Sequence, residues 1–363
     1  MQNLKVAIIG ASGVVGRALL EHLQTSGVSV VGLSRRPPAD LADISFMELD
    51  LQDSGACQST CSTALADITH LVYTALYEKP GLIAGWHEQD QMQTNLAMLQ
   101  NLLEPLSSSA TLRHVTLLQG TKAYGAHVAP MKIPGIESEP RHAHENFYWL
   151  QQDYLAQMCD RFGWQFTIWR PQVIFGHALH APMNMLAALG VYAALQKSKG
   201  LPFSYPGGPS PVSEAIDADL LARAIHFSFD KAAFLNQTFN ITNGDVFRWQ
   251  DIWPNLAEIF NMQVGEPNRL PLSQALYDEE HHWQQIVAQN GLQPYSIRQL
   301  VGDSFFYADA MFNAYSESVP PPAILSTIKL RQAGFHDCID TTDMFRRWFQ
   351  KLADLKVLPP VRY

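Results

Sequence analysis

Cysteine is scarce in this chain, with four in 363 residues, at Cys57, Cys61, Cys159 and Cys338. So few argue against a disulfide-stapled scaffold and suit a reducing compartment, so a cytoplasmic location is expected. Cys57 and Cys61 stand four apart, yet no second Cys or His pair with zinc-like spacing accompanies them. Ordinary packing is the expectation for both. Positive charge is also in deficit, with 25 Lys and Arg against 34 Asp and Glu and a formal net charge of −9. That balance disfavours nucleic acid or an anionic membrane as a partner, and any anionic ligand needs a local group of donors. No apolar run approaches the ~20 residues needed to span a bilayer. Met1-Gln2-Asn3-Leu4-Lys5-Val6 lacks the charged-then-apolar pattern of a secretory leader. Low-complexity tracts are absent too, and 47% of residues are hydrophobic. A sizeable core is therefore expected.

What the chain does have is alternation. Val6-Ala7-Ile8-Ile9 is a short β-rich run, and after the segment Gly10-Ala11-Ser12-Gly13-Val14-Val15-Gly16 the residues Arg17 to Leu23 carry helical spacing. Further buried-strand candidates are Val28–Leu33, Ile44–Leu49, Ile68–Thr74, Leu112–Leu118 and Phe166–Trp169, with helix-length stretches between several of them. This pattern predicts an α/β fold, a doubly wound parallel sheet of Rossmann type. From about Gly176 the pattern changes. Pro182-Met183-Asn184 opens an apolar helix through Leu195, Gly200–Pro211 reads as a loop, Ala215–Ala222 as a capped helix start and Thr238–Ile241 as a strand. The aromatic-rich remainder reads as largely helical. The expected organisation is an NADP-binding domain over 1–175, to which segments around 212–245 return. A smaller, mostly helical substrate lobe then occupies most of 176–363.

Glycines at 10, 13 and 16, between a strand and a helix, meet three separate needs. Gly10 permits the tight turn, Gly13 lets phosphate oxygens approach the backbone, and Gly16 allows close helix–strand packing. The helix N-terminus beyond them presents unpaired N–H groups to a pyrophosphate. Where an NAD site usually carries an acid, the second strand ends Leu33-Ser34-Arg35-Arg36. Two guanidiniums suit a 2′-phosphate, so NADPH is the expected cofactor, with a solvated basic loop as the alternative. Asp50-Leu51, after the third strand, is placed near the adenine, and Thr74-Ala75, after the fourth, near the ribose and nicotinamide.

The chemical candidates are Tyr148, in Asn146-Phe147-Tyr148-Trp149, and Lys122, in Leu118-Gln119-Gly120-Thr121-Lys122-Ala123-Tyr124. A tyrosine-lysine reductase carries lysine four residues after its tyrosine, and this chain has Gln152 there. A phenol donor and a nearby ammonium stabilise negative charge that develops on a substrate oxygen as hydride arrives. The plainer alternative makes Tyr148 a core aromatic and Lys122 a surface lysine.

These segments, together with Arg170-Pro171-Gln172-Val173-Ile174-Phe175-Gly176, Asn240-Ile241-Thr242-Asn243-Gly244-Asp245 and Lys329-Leu330-Arg331-Gln332-Ala333-Gly334-Phe335, occur in one order. Together they resemble the progesterone 5β-reductase/iridoid synthase-like branch of the extended short-chain dehydrogenase/reductases, over nearly the whole chain. The displaced lysine is the most specific mark of that resemblance. It implies NADPH-dependent 1,4-reduction of a small apolar α,β-unsaturated carbonyl compound, with Tyr148 and Lys122 holding the enolate oxygen. It further implies cofactor contacts from Ser12, Gly13, Val14, Arg35, Arg36, Asp50, Leu51, Thr74 and Ile174, and the expected cofactor site also includes Gly10, Gly16, Ser34, Ala75, Gln119, Tyr148, Val173 and Met183. Phe305, Phe306 and Tyr307 match an aromatic segment that lines the family's substrate pocket, with core packing as their alternative. The chain departs from the plant pattern in Gln119-Gly120-Thr121 and in Ala123.

Competing readings are 1,2-reduction of a ketone or aldehyde, sugar-nucleotide epimerisation, or a non-catalytic NADPH sensor. Gln152 counts against the first two, and the presence of Tyr148 against the third. His142 and His144 beside Glu145 lack a further ligand cluster, so no metal is expected. His177 and His180 flank the expected nicotinamide end and are candidates for substrate contact, while His281-His282 read as a solvated helix face. No Gly-x-Ser-x-Gly elbow supports hydrolase chemistry. The oligomeric state stays open, with a homodimer as the assembly to test.

Overall fold

The computed structural model describes residues 4–38, 40–41, 43–80 and 84–361; Met1-Gln2-Asn3 of the N-terminal run lie outside them. The chain forms two compact units. The first comprises Met1–Gln172, Ala218–Thr242 and Leu325–Asp337; the second comprises Val173–Asp217, Asn243–Ile324 and Cys338–Tyr363.

In chain order the strands are β1 (Lys5–Ile9), β2 (Ser29–Ser34), β3 (Phe46–Glu48), β4 (His70–Tyr73), β5 (His114–Leu118), β6 (Gln165–Pro171), β7 (Val173–Phe175), β8 (Ala215–Asp217) and β9 (Gln237–Ile241). Seven of them build the sheet of the first unit in the order β3-β2-β1-β4-β5-β6-β9, every pair parallel. The helices needed here are α1 (Val14–Thr25), α2 (Ser54–Ser62), α3 (Gln89–Leu106), α4 (Phe147–Phe162), α5 (Met185–Ser198) and α6 (Ala218–Ser228).

Successive strand side chains point to opposite faces, which sorts the core into two layers. Ala7, Ile9, Leu71, Tyr73, Val115, Leu117 and Ile168 share one buried cluster with Cys57 and Cys61 of α2, Leu99 and Leu102 of α3, and Leu155 and Met158 of α4. From the other face the buried His70 and His114 reach Phe229, just past α6, and α6 packs on α1. Strand order reverses between β1 and β4. In open sheets of this kind, ligands bind outside the carboxyl ends of the strands at such a point.

The cysteines are free thiols. Cys57, Cys61 and Cys159 are buried, and burial raises all three pKa values. Among the described residues no helix is long and apolar enough to cross a membrane.

In the second unit β7 pairs in parallel with β8, and α5 begins at Met185 with Asn184 as its N-cap. Its core is aromatic: Trp253 stacks on Phe203 with ring centroids 4.5 Å apart, and Tyr205 and Phe312 pack edgewise against it. Ala215–Asp217, read from sequence as the opening of a helix, is strand β8, and α6 starts only at Ala218. Distant partners explain the difference. The Asp217 N–H donates to Asn243 Oδ1 at 2.7 Å, and its carboxylate accepts from Trp348 Nε1 at 3.0 Å and from Arg347.

Candidate functional site

The glycine segment after β1 forms a backbone cradle. Gly10 has φ +87°, a conformation that favours glycine, and its N–H donates to the Leu33 carbonyl at 2.8 Å. A Cβ on Gly10 would lie 2.8 Å from both the Ala75 nitrogen and Thr74 Oγ1; one on Gly16 would lie 2.3 Å from the Gly10 carbonyl oxygen. No side chain can be added at either place without moving backbone. Gly13 caps α1 without a side-chain hydrogen bond, so the first N–H groups of this 12-residue helix have no side-chain acceptor. A pyrophosphate satisfies such groups, and the cradle fits one.

The surrounding residues brace the cradle. The Ser12 N–H donates to Ser34 Oγ at 3.0 Å, and Thr74 Oγ1 donates to the Ile9 carbonyl at 2.8 Å. Val14 opens α1, while Arg35 and Arg36 are exposed just past β2. Asp50 is exposed past β3 and accepts from the Gln52 N–H at 3.0 Å; Leu51 beside it is buried. Arg17, on the same helix, is buried and paired with Glu21 and Asp40.

A second group of residues gathers past the ends of β4 and β5. Lys122 lies on a single 3₁₀ turn, Thr121–Tyr124, and its Nζ stands 3.6 Å from the centroid of the Trp86 ring. Tyr148, in the first turn of α4, packs edgewise on the same ring with centroids 5.3 Å apart. The Tyr148 hydroxyl is 3.5 Å from where a Cβ on Gly120 would stand, so it lies over the segment that leads to Lys122. Asn146 ties the two together. Its Oδ1 accepts from the Tyr148 N–H at 3.0 Å and its Nδ2 donates to the Lys122 carbonyl at 2.9 Å. Burial pushes the Lys122 ammonium down to about 8, against the opposing pull of Glu78.

Gln152, at the position of the usual lysine, is part of an amide relay. Gln119 Nε2 donates to Gln152 Oε1 at 3.0 Å and to the Tyr148 carbonyl at 3.2 Å, while Gln119 Oε1 accepts from Arg170 Nε at 2.9 Å. The Gln119 side chain is thus largely committed inside the fold, leaving one carbonyl lone pair for a ligand. Arg170 also stands over Tyr124, whose hydroxyl donates to Asn240 Oδ1 at 2.6 Å. Asn240 Nδ2 in turn donates to the Gly135 and Ser326 carbonyls, and Lys329 Nζ to the Thr238 carbonyl. These segments therefore hold the end of the sheet rather than the corner around Trp86.

His127, His142 and His144 line up beside Trp86. Ring centroids are 5.8 Å apart for Trp86–His127, 4.9 Å for His127–His144 and 4.9 Å for His142–His144. Burial first, then His144 and Lys122 among its neighbours, push His127 down to about 4. Among the described residues no group of three or more His, Cys, Asp or Glu is arranged to hold a metal ion.

The remaining expected contacts belong to the second unit. Val173 and Ile174 are half-buried on β7, and Met183 is half-buried in the turn before α5. Phe305 is buried against Tyr277, with centroids 5.0 Å apart, whereas Phe306 is exposed and Tyr307 half-buried on the helix Ser304–Met311. His177 is buried and His180 exposed. Trp86, Glu78 and Asn146 escaped the sequence reading as site residues. Asn146 carried a legible signal, an Asn just before a helical run; Trp86 and Glu78 carried none.

Comparison with known proteins shows the family. The family model described as "NAD dependent epimerase/dehydratase family" matches residues 6–242. The (S)-8-oxocitronellyl enol synthase of Antirrhinum majus is 30% identical, covering 97% of this chain and 92% of its own. The 3-oxo-Delta(4,5)-steroid 5-beta-reductase of Arabidopsis thaliana is likewise 30% identical, with 97% and 92% covered. Among solved structures, UDP-glucose 4-epimerase from Brucella ovis in complex with NAD superposes with a TM-score of 0.67 at 16% identity, covering 99% of this chain and 100% of that one. At that identity the likeness speaks for the fold alone. The chain belongs to the NAD dependent epimerase/dehydratase family, in its progesterone 5β-reductase/iridoid synthase-like branch, and is a nicotinamide-dependent oxidoreductase.

Proposed function

We propose that this protein is an NADPH-dependent reductase of the C=C bond of small, apolar α,β-unsaturated carbonyl compounds. The observation that carries the reading is the corner in which Tyr148 and Lys122 flank one Trp86 ring while position 152 holds an engaged glutamine. The cradle of Gly10, Ser12, Gly13, Val14 and Gly16 would hold the pyrophosphate, and Arg35 with Arg36 the 2′-phosphate. When bound, the reduced nicotinamide supplies a hydride to the β-carbon of the enone.

The protein's own contribution is electrostatic. Tyr148 donates a hydrogen bond to the carbonyl oxygen, and that bond strengthens as the oxygen takes on enolate charge. Lys122 adds a positive charge, and the Trp86 ring covers one side of it, keeping water from screening the interaction. One such donor is worth about 3 kcal/mol, or roughly 10²–10³ in rate. The α-carbon then takes its proton from solvent. Phe306 and Tyr307 are proposed as substrate contacts, whereas Phe305, buried against Tyr277, packs in the core.

The test is product analysis with NADPH and a panel of simple enones. A saturated ketone is the expected product, and an allylic alcohol would sink the reading. Tyr148→Phe and Lys122→Met should each lower kcat/KM by roughly 10²–10³. Undiminished turnover in both variants would remove the pair from the chemistry.

A further inference from the structure

Glu78 follows β4 and has no role in the scheme above. Both of its carboxylate oxygens are buried without a hydrogen-bond partner among the described residues. Leaving a carboxylate so placed is costly unless a charge or a donor compensates it. Three groups face it. Trp86 Nε1 and Gln91 Nε2 are themselves buried and stand as donors toward Glu78, outside strict hydrogen-bond geometry but close enough to hold its pKa down. Lys122, with its Nζ 3.6 Å from the centroid of the same Trp86 ring, acts the same way through space and more strongly, although burial prevails and the net shift is upward.

The donors are oriented by the fold. Gln91 Oε1 accepts from the Lys79 N–H at 2.9 Å, which leaves its Nε2 for the other side. Gly85, next to Trp86, has no room for a side chain, because a Cβ would fall 1.9 Å from Gln91 Oε1. The turn carrying Trp86 thus closes directly onto Gln91. Lys79, the cation adjacent to Glu78, instead sends its ammonium to Glu88 and Asp90.

Resting on the reaction proposed above, we propose that Glu78 is a positioning residue: its buried carboxylate is the counter-ion that, with the Trp86 ring, holds Lys122 as an ammonium beside Tyr148. The other groups around Lys122 do not supply that charge. His127, on the loop after the 3₁₀ turn, repels the ammonium when protonated and is kept neutral by burial. Tyr148 and Asn146 come from the start of α4, Trp86 from the turn before α3, and Gln91 from α3 itself; none brings a carboxylate. His87 and His144, on the far side of His127, bring none either.

The experiment follows the titration of Lys122 in the full chain. It reads the pH dependence of Lys122 acetylation by acetic anhydride, quantified by peptide mass spectrometry, without any turnover. In Glu78→Gln, Lys122 should titrate about one unit or more lower than in the parent, since an opposite charge nearby is worth that much. Glu78→Leu should do the same, and it removes the uncompensated carboxylate, so a charge-free variant folds even if the amide does not. Glu78→Asp should leave the titration near that of the parent. The alkaline limb of kcat/KM for enone reduction should move with the label. An unchanged Lys122 titration in the charge-free variants would overturn the proposal, as would an equal shift in Glu78→Asp. Absence of enone reduction in the parent would instead fail the proposed reaction, and the labelling would still decide the counter-ion.

Discussion

Replacing Asn146 with alanine would cut, in one change, the link between the two reactive groups. Its side chain is buried, accepts from the Tyr148 N–H at 3.0 Å and donates to the Lys122 carbonyl at 2.9 Å. Loss of the cap on α4 costs about 1 kcal/mol. The Lys122 carbonyl loses this donor but keeps the Gly125 N–H at 3.1 Å, so the lost hydrogen bond costs about 0.5–1.5 kcal/mol more. The expected loss of stability is therefore roughly 1.5–2.5 kcal/mol, read from urea unfolding. Activity should fall further than stability accounts for. The Asn146 side chain hydrogen-bonds the backbone of both Tyr148 and Lys122, and a displacement of about 1 Å costs roughly 10² in rate. Asn146→Asp separates the two effects, because aspartate caps a helix as well as asparagine but cannot donate to Lys122. It should recover about 1 kcal/mol, the share of the cap, and little of kcat/KM. The reasoning is refuted if Asn146→Ala unfolds within about 0.5 kcal/mol of the parent, the scatter of an ordinary surface change, and keeps its kcat/KM.

Two further outcomes are expected. Changing Arg35 and Arg36 to alanine should weaken NADPH far more than NADH, measured by dissociation constants for both; equal losses would refute the assignment of the 2′-phosphate to these residues. The protein should also lose stability in mild acid through His70 and His114, which stand behind the sheet with ring centroids 5.3 Å apart. Burial pushes His70 down to about 4 and His114 to about 3, although Asp230 opposes the shift. Unfolded histidine takes up its proton near 6.5, so the neutral-state contribution is complete above that pH and is lost as pH falls toward 4. For His70 alone this amounts to on the order of 3 kcal/mol. Urea midpoints should therefore drop between pH 6.5 and 4.5, and less steeply in His70→Asn.

Legibility in the sequence followed the range of the interaction. The glycines at 10, 13 and 16 were readable because a tight turn, a bare helix end and a close packing contact are demands of adjacent backbone. The seven parallel strands were readable as apolar runs because a sheet covered on both faces leaves little room for polar side chains. Asp217 misled because its partners, Asn243 and Trp348, are remote, and they fix it at the end of a strand. Position 152 announced that the usual lysine was missing, but not that its glutamine would join Gln119 and Arg170 in a relay.

By itself the chain determined the sheet and the glycine cradle and singled out Tyr148 and Lys122 as candidates, because each depends on residues close together in sequence or on residue chemistry alone. Only the tertiary structure decided the setting of Lys122, where Trp86, Glu78 and Asn146 arrive from three separate segments. The charge a lysine carries depends on how much water and which opposite charges surround it, and those are properties of the packed neighbourhood.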